Sequence, residues 1–265
     1  TNKVIYLNDG EIATITPAGY RIQTIAKEAV KRAPEELDWD LEVAEKGNFA
    51  HFMLKEINEE PEAVRNSLRG RINLEEGKAV LGGLTDVKDE LRKINRLHLC
   101  ACGSAYLAGK VGAYMLEEYA GVPVEIEFGS EMRYRKPIFE KNDAFLAVSQ
   151  SGETADTLAS LYEAKEKEIL TLGIVNAIGS TMSRETDAGV YQHIGPEVAV
   201  ASTKSFVSQV AILALLTLFL GRKKNMSLVM GQRIGTELQR LPALMDKILT
   251  QQDLIKELAD KYAGY

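Results

Sequence analysis

Five short apolar runs at regular spacing constrain the fold of this chain more than any other feature. LHLCA (97–101), VEIEF (124–128), AFLAV (144–148), TLGIV (171–175) and AGVYQ (188–192) each have strand length and strand composition. Between them lie stretches with apolar residues at helical spacing. One runs from Ser104 to Tyr119, with Ala108, Val111, Gly112 and Met115 on one face. Another runs from Thr154 to Lys167, with Ala155, Leu158, Ala159 and Tyr162 in line, and a short helix is expected over Ser180 to Arg184. Strands apolar on both faces need cover on both, and a helix after each strand makes neighbouring strands parallel. The alternation predicts an α/β fold, a three-layer α/β/α sandwich with a mostly parallel five-stranded sheet, over residues 83–245. An apolar helix from Ser202 to Leu220 follows. It is short for a bilayer and interrupted by Ser208, Gln209 and Thr217, so it reads as a buried core helix. Two more helices run to the end, residues 246–265 forming a connecting helix.

Ahead of the sandwich, VIYL and EIATI flank Asn8-Asp9-Gly10 and predict a β-hairpin within residues 1–25. Residues 26–82 read as a linker and a helical module. Its acidic stretch EELDWDLEVAEKG shows no periodicity, and its two helices are expected over Phe49 to Ile57 and from Pro61 to Leu68. The chain opens on Thr1 rather than Met and has no signal-peptide pattern, which is expected of a piece cut from a longer cytoplasmic protein.

In an open α/β sheet, ligands sit beyond the carboxyl ends of the strands. Three loops expected there are small and polar: Cys102-Gly103-Ser104, Ser149-Gln150-Ser151-Gly152-Glu153-Thr154, and Val200-Ala201-Ser202-Thr203-Lys204. Each opens a helix, whose unpaired N–H groups and partial positive charge suit an anion. Ser and Thr are also the preferred helix caps, and that reading is sufficient for the third loop. The second loop holds more hydroxyls than a cap uses. Lys204, in a first helical turn, calls for a carboxylate or a ligand phosphate as partner. No dinucleotide or P-loop fingerprint and no nucleophile elbow occurs. A net charge of −6 argues against nucleic acid or an anionic membrane as partner, and Cys100, Cys102, His51, His98 and His193 form no metal-ligand or disulfide pattern.

HFMLKEINEEP (51–61), SEMRYRKPIF (130–139), SQSGETADT (149–157) and EVAVASTKSF (197–206) resemble, in this order, the sugar isomerase (SIS) domain family. Within it they are most similar to the aminotransferases that make glucosamine 6-phosphate from fructose 6-phosphate and glutamine. The resemblance implies a flavodoxin-like SIS fold for the first of two such domains, preceded by the tail of a glutaminase domain. It implies that Ser149, Gln150, Ser151 and Thr154 bind a sugar phosphate, that Cys102, Gly103 and Ser104 wrap the sugar, and that Val200 and Ser202 line the same pocket. At Ala105 the family commonly has a hydroxyl, so a weaker contact is expected there. The family's lysine, glutamate and histidine for isomerisation belong to a second SIS domain and its tail, and the glutaminase cysteine has no counterpart at Thr1. The expectation is therefore a fragment of a homodimeric enzyme that binds hexose 6-phosphate without turnover, with no catalytic residue, metal or organic cofactor of its own. A stand-alone aminosugar-phosphate sensor and a complete single-domain isomerase are the alternatives; residues 1–50 show no DNA-binding pattern to support the sensor.

Overall fold

The structure is a computed structural model and describes residues 3–36 and 45–264. Residues 37–44 of the expected linker lie outside the described residues. The chain forms two compact units, Thr1–Gly47 and Asn48–Tyr265.

In the first unit, β2 (Glu11–Thr16), β3 (Gly19–Thr24) and β4 (Ala29–Val30) make an antiparallel sheet, and β1 (Lys3–Val4) pairs with β5 (Glu35–Glu36). The expected hairpin is therefore displaced by one strand. Asn8-Asp9-Gly10 does turn, with Gly10 at φ +78° and the Glu11 N–H bonded to the Asn8 carbonyl at 3.1 Å. The strand returning on EIATIT is the next one, GYRIQT, joined through Pro17-Ala18 with Ile15 opposite Tyr20 and Ala13 opposite Ile22. Cross-strand pairs of this kind over six residues outweigh what the short VIYL run can offer.

The second unit begins with α1 (Phe52–Leu68), a short ladder of β6 (Ile72–Asn73) and β7 (Lys78–Ala79), a 3₁₀ turn at Gly82–Leu84, and α2 (Lys88–Arg92). Two helices were expected where α1 runs unbroken through Pro61. A proline costs the helix one backbone bond, but Pro61, Ala63, Val64 and Leu68 are all buried, and that packing carries the helix through.

The sandwich follows: β8 (Arg96–Ala101), α3 (Ser104–Met115) continued by a π-turn at Leu116–Ala120, β9 (Val124–Phe128), α4 (Gly129–Met132) and β10 (Asp143–Ser149). Then come α5 (Ala155–Glu166), β11 (Leu170–Val175), α6 (Thr181–Glu185), β12 (Ala188–Tyr191), α7 (Lys204–Gly221), α8 (Leu228–Leu249) and α9 (Gln252–Tyr262). All five strands β8 to β12 are parallel, in the spatial order β12-β11-β10-β8-β9. One face, with Leu97, Leu99, Leu146 and Ile174, packs in the same core as Ile212, Leu213 and Leu216 of α7. The other, with Cys100, Phe145 and Ala147, packs with Leu161 and Ala164 of α5 and Met182 of α6. The expected three-layer sandwich is present, and its central strand β10 is buried along its whole length because both faces are covered.

α7 is long and apolar enough to cross a membrane, the one helix of that kind among the described residues, and 78% of it is buried inside the fold. It is a core helix, as its polar interruptions indicated. The buried face of α5 is Thr157, Ser160, Leu161 and Ala164, not the expected Ala155, Leu158, Ala159 and Tyr162. The Ser160 hydroxyl satisfies itself on the Asp156 carbonyl at 3.0 Å, so a small polar side chain can face the sheet.

Candidate functional site

Sequentially, the sheet strands β8 to β12 occupy positions 2-1-3-4-5 across the sheet, so the direction of winding reverses between β8 and β10. Chain leaving these two strands diverges to opposite faces and opens a crevice at their carboxyl ends. A cavity of about 370 Å³ lies there. It is lined by Cys102, Gly103 and Ser104 after β8, by Ser149, Gln150, Ser151 and Thr154 at the end of β10, and by Val200 and Ser202 before α7. All nine residues singled out from sequence meet in one place.

The loop after β10 is folded by its own hydroxyls. Ser149 Oγ accepts the Gly152 N–H at 3.0 Å and lies 3.0 Å from Thr154 Oγ1, while Ser151 Oγ accepts the Glu153 N–H at 3.2 Å. Thr154 stands at the N-cap of α5, yet its side chain does not cap that helix, and neither Gly103 at α3 nor Thr203 at α7 supplies a cap of its own. Ser227, by contrast, caps α8 by accepting the Met230 N–H at 3.2 Å. The Thr154 hydroxyl is thus not spent on a cap, whereas at α7 the Glu197 carboxylate takes the Ser205 N–H. Gly152 is required for a reason other than ligand approach: at φ +66° a Cβ there would lie 2.1 Å from Ser180 Oγ. Glu153 turns away from its own helix and accepts the Thr181 N–H at 2.7 Å, which orders the start of α6.

Gly103 joins β8 to α3 at φ +57°, ψ −133°, a conformation open to glycine alone, and nothing lies within 4 Å of where its Cβ would be. The backbone at that point is bare toward the crevice. Cys102 Sγ sits 3.6 Å from Thr157 Oγ1. Cys100 is buried in the other core, and that burial pushes its thiol up to about 12, so it stays protonated.

The third loop is held by carboxylates. Glu197 accepts the N–H groups of Thr203 and Ser205, both at 3.1 Å, and the Ser205 hydroxyl. Ser202 Oγ is 2.7 Å from Ser205 Oγ, and Val200 stands fully exposed at the apex. Lys204 points away from the cavity and is buried against Glu59 of α1, with Nζ to Oε2 at 2.7 Å. Of its two possible partners it takes the carboxylate. Glu197, Ser205 and Gln209 also line the cavity and were not foreseen. Ser205 and Gln209 follow Ser202 at helical spacing, a period that could have found them. Gln209 is 1% exposed and its Oε1 has no protein partner.

Three helix N-termini therefore converge on hydroxyls, the amides of Gln150 and Gln209, the Glu197 carboxylate and bare backbone. Among the described residues lining the cavity only Cys102 and Glu197 carry an acidic or basic side chain, and none of the three histidines takes part. His98 instead bonds Asp143 within the sheet, 2.9 Å from Nε2 to Oδ2. No group of His, Cys, Asp and Glu residues suited to a metal ion occurs among the described residues. Such a site can hold an anion through neutral donors.

Comparison with known proteins agrees with this geometry. Residues 90–219 match the SIS domain family. The chain is 48% identical over 264 residues to a glutamine--fructose-6-phosphate aminotransferase [isomerizing] of Chlorobaculum tepidum, covering 98% of this chain and 42% of that protein. The corresponding Thermus thermophilus enzyme is 43% identical over 263 residues, with 99% and 43% covered. Among solved structures, the C-terminal domain of glucosamine-fructose-6-phosphate aminotransferase from Francisella tularensis superposes with a TM-score of 0.77 at 35% identity, covering 82% of this chain and 60% of that one. The chain thus spans about two fifths of the length of the curated relatives it matches. Residues 90–219 are a SIS domain, and the chain is similar along nearly its whole length to part of a glutamine--fructose-6-phosphate aminotransferase.

Proposed function

We propose that the crevice is a hexose 6-phosphate site, with fructose 6-phosphate and glucosamine 6-phosphate as its ligands. The observation that carries this reading is the convergence of three helix N-termini and the Ser149–Thr154 hydroxyls on one cavity of about 370 Å³. The phosphate would sit on the loop after β10, taking N–H groups at the start of α5 and the hydroxyls of Ser151 and Thr154. The sugar would lie toward Gly103, Ser104, Val200 and Ser202, with the unpartnered Oε1 of Gln209 available to a sugar hydroxyl. The names of the relatives support the ligand class.

The whole protein, on this reading, transfers the amide nitrogen of glutamine to fructose 6-phosphate and isomerises the product to glucosamine 6-phosphate. It would do so as a homodimer in the cytoplasm, using a second SIS domain and a glutaminase domain. Residues 48–265 would contribute binding rather than turnover, since the lining residues supply no lysine, no histidine and no free carboxylate. The two cysteines, both free, suit a reducing compartment.

Titration calorimetry tests the site. Both hexose 6-phosphates are expected to bind with one-to-one stoichiometry, and unphosphorylated fructose to give no heat. Folded protein that gives no heat with either phosphate would falsify the assignment.

A further inference from the structure

We propose that Glu56 of α1 is a positioning residue for the sugar side of this pocket, an inference that rests on the hexose-phosphate reading. α1 precedes the SIS domain in sequence and contributes no residue to the cavity wall. Yet Glu56 is 2% exposed, and its Oε1 accepts two backbone N–H groups of the third loop, Val198 at 2.6 Å and Ala199 at 3.1 Å. Its other oxygen, Oε2, is buried with no hydrogen-bond partner. An apolar side chain would be cheaper at such a position, so the acceptor is there for the loop.

The loop needs it. Between β12 and α7 the chain has no strand or helix to satisfy its amides, and buried or half-buried N–H groups must find acceptors elsewhere. Two carboxylates supply them from opposite ends: Glu56 holds Val198 and Ala199, and Glu197 holds Thr203 and Ser205. Val200 and Ser202, the sugar-facing residues, lie between the two clamps.

The helix bearing Glu56 is itself fixed to the sandwich. Glu59 pairs with the buried Lys204, and Ser67 Oγ is 2.9 Å from the Gln192 carbonyl and 2.7 Å from Ser208 Oγ. The position of Glu56 relative to α7 is thereby set. The loop after β10 is folded by its own hydroxyls and does not touch Glu56. Loss of the Glu56 acceptor therefore loosens the sugar wall and leaves the phosphate cradle intact.

The test uses the full chain, with fructose 6-phosphate and inorganic phosphate as probes. Glu56→Leu fills the space without an acceptor, while Glu56→Gln keeps one oxygen for the same two amides. Glu56→Leu is expected to weaken fructose 6-phosphate about tenfold, as for loss of hydrogen bonds to a charged acceptor, and to leave inorganic phosphate within about twofold. Glu56→Gln is expected to restore the sugar phosphate to within about twofold of the parent. Amide hydrogen exchange at Val198 and Ala199 should be slow in the parent and the Gln variant and fast in the Leu variant.

Unchanged fructose 6-phosphate affinity in Glu56→Leu overturns the proposal, as does an equal loss for both probes. If Glu56→Leu does not fold, the parent and Glu56→Gln decide: fast exchange of both amides in the parent, or a tenfold loss in Glu56→Gln, overturns it. A folded parent that binds neither probe sinks the hexose-phosphate reading instead, and the amide exchange then decides the clamp alone.

Discussion

Ala105, where the resemblance leads one to expect a hydroxyl, lies in the first turn of α3 beside Ser104. A hydroxyl there would add one donor at a helix N-terminus. Ala105→Ser is expected to tighten fructose 6-phosphate binding about fivefold, the worth of roughly one added hydrogen bond of about 1 kcal/mol. Calorimetry of the two proteins side by side checks it, and equal affinities would discard the idea. Glu60, one turn beyond Glu56, carries the opposite kind of signal. Burial, and then the charge of Glu197, hold its carboxyl above the ordinary carboxylate range. The ionised form is thus disfavoured in the folded protein, and stability falls as pH rises through the folded value. Glu60→Gln should raise the melting temperature near neutral pH. That advantage should shrink as the pH drops and vanish once the carboxyl is protonated in the unfolded chain as well; a gain independent of pH would exclude the electrostatic cause. The nine pocket residues were legible because strand ends and helix starts can be located from sequence. The carboxylates Glu56 and Glu197 were not, because their partners are backbone amides of a loop whose path no periodicity reports.

At the scale of elements, close packing decides what propensity leaves open. α1 reads as two helices because Pro61 begins a helix well, and it is one because the apolar side chains around Pro61 are buried together. α5 is read on the wrong face because Thr157 and Ser160 are counted as polar, although both are fully or nearly fully buried. The hairpin is misplaced because a turn sequence marks a turn without saying which strand pairs across it. α3 shows the same primacy of contact. Gly109 lies where a Cβ would come within 2.6 Å of Leu99, and Gly112 where it would come within 2.8 Å of Leu213. Gly112→Ala therefore sets an overpacking cost of about 1–3 kcal/mol against a helix-propensity gain of about 1 kcal/mol. Leu213 is fully buried and has little room to yield, so a net loss of about 1–2 kcal/mol is expected in urea denaturation. Stability equal to the parent would mean that α3 can slide on α7.

For the whole molecule, the alternation of strands and helices specifies layers but not strand order. Nothing in the five runs says that β8 lies between β9 and β10; the two glutamates of VEIEF suit an edge strand but do not name its neighbour. The order comes from the right-handed crossovers and from how the loops can close. It is this order that brings Ser104 and Ser149 to one crevice, so the site could be listed from sequence but not assembled. The lack of a lysine or arginine among the residues lining that crevice has a further consequence, for ionic strength. Proteins that grip phosphate with lysine and arginine lose affinity as salt screens the attraction. Here the chain carries a net charge of −6 and its cradle offers dipoles. Added salt screens the long-range repulsion between an acidic protein and a dianionic ligand, while bonds at contact distance are little affected. Between about 50 and about 300 mM potassium chloride the affinity for fructose 6-phosphate should hold steady or rise slightly, and a steep fall would reveal a cation in the grip. A phosphate site of this kind works as well in a salt-rich cell as in a dilute one.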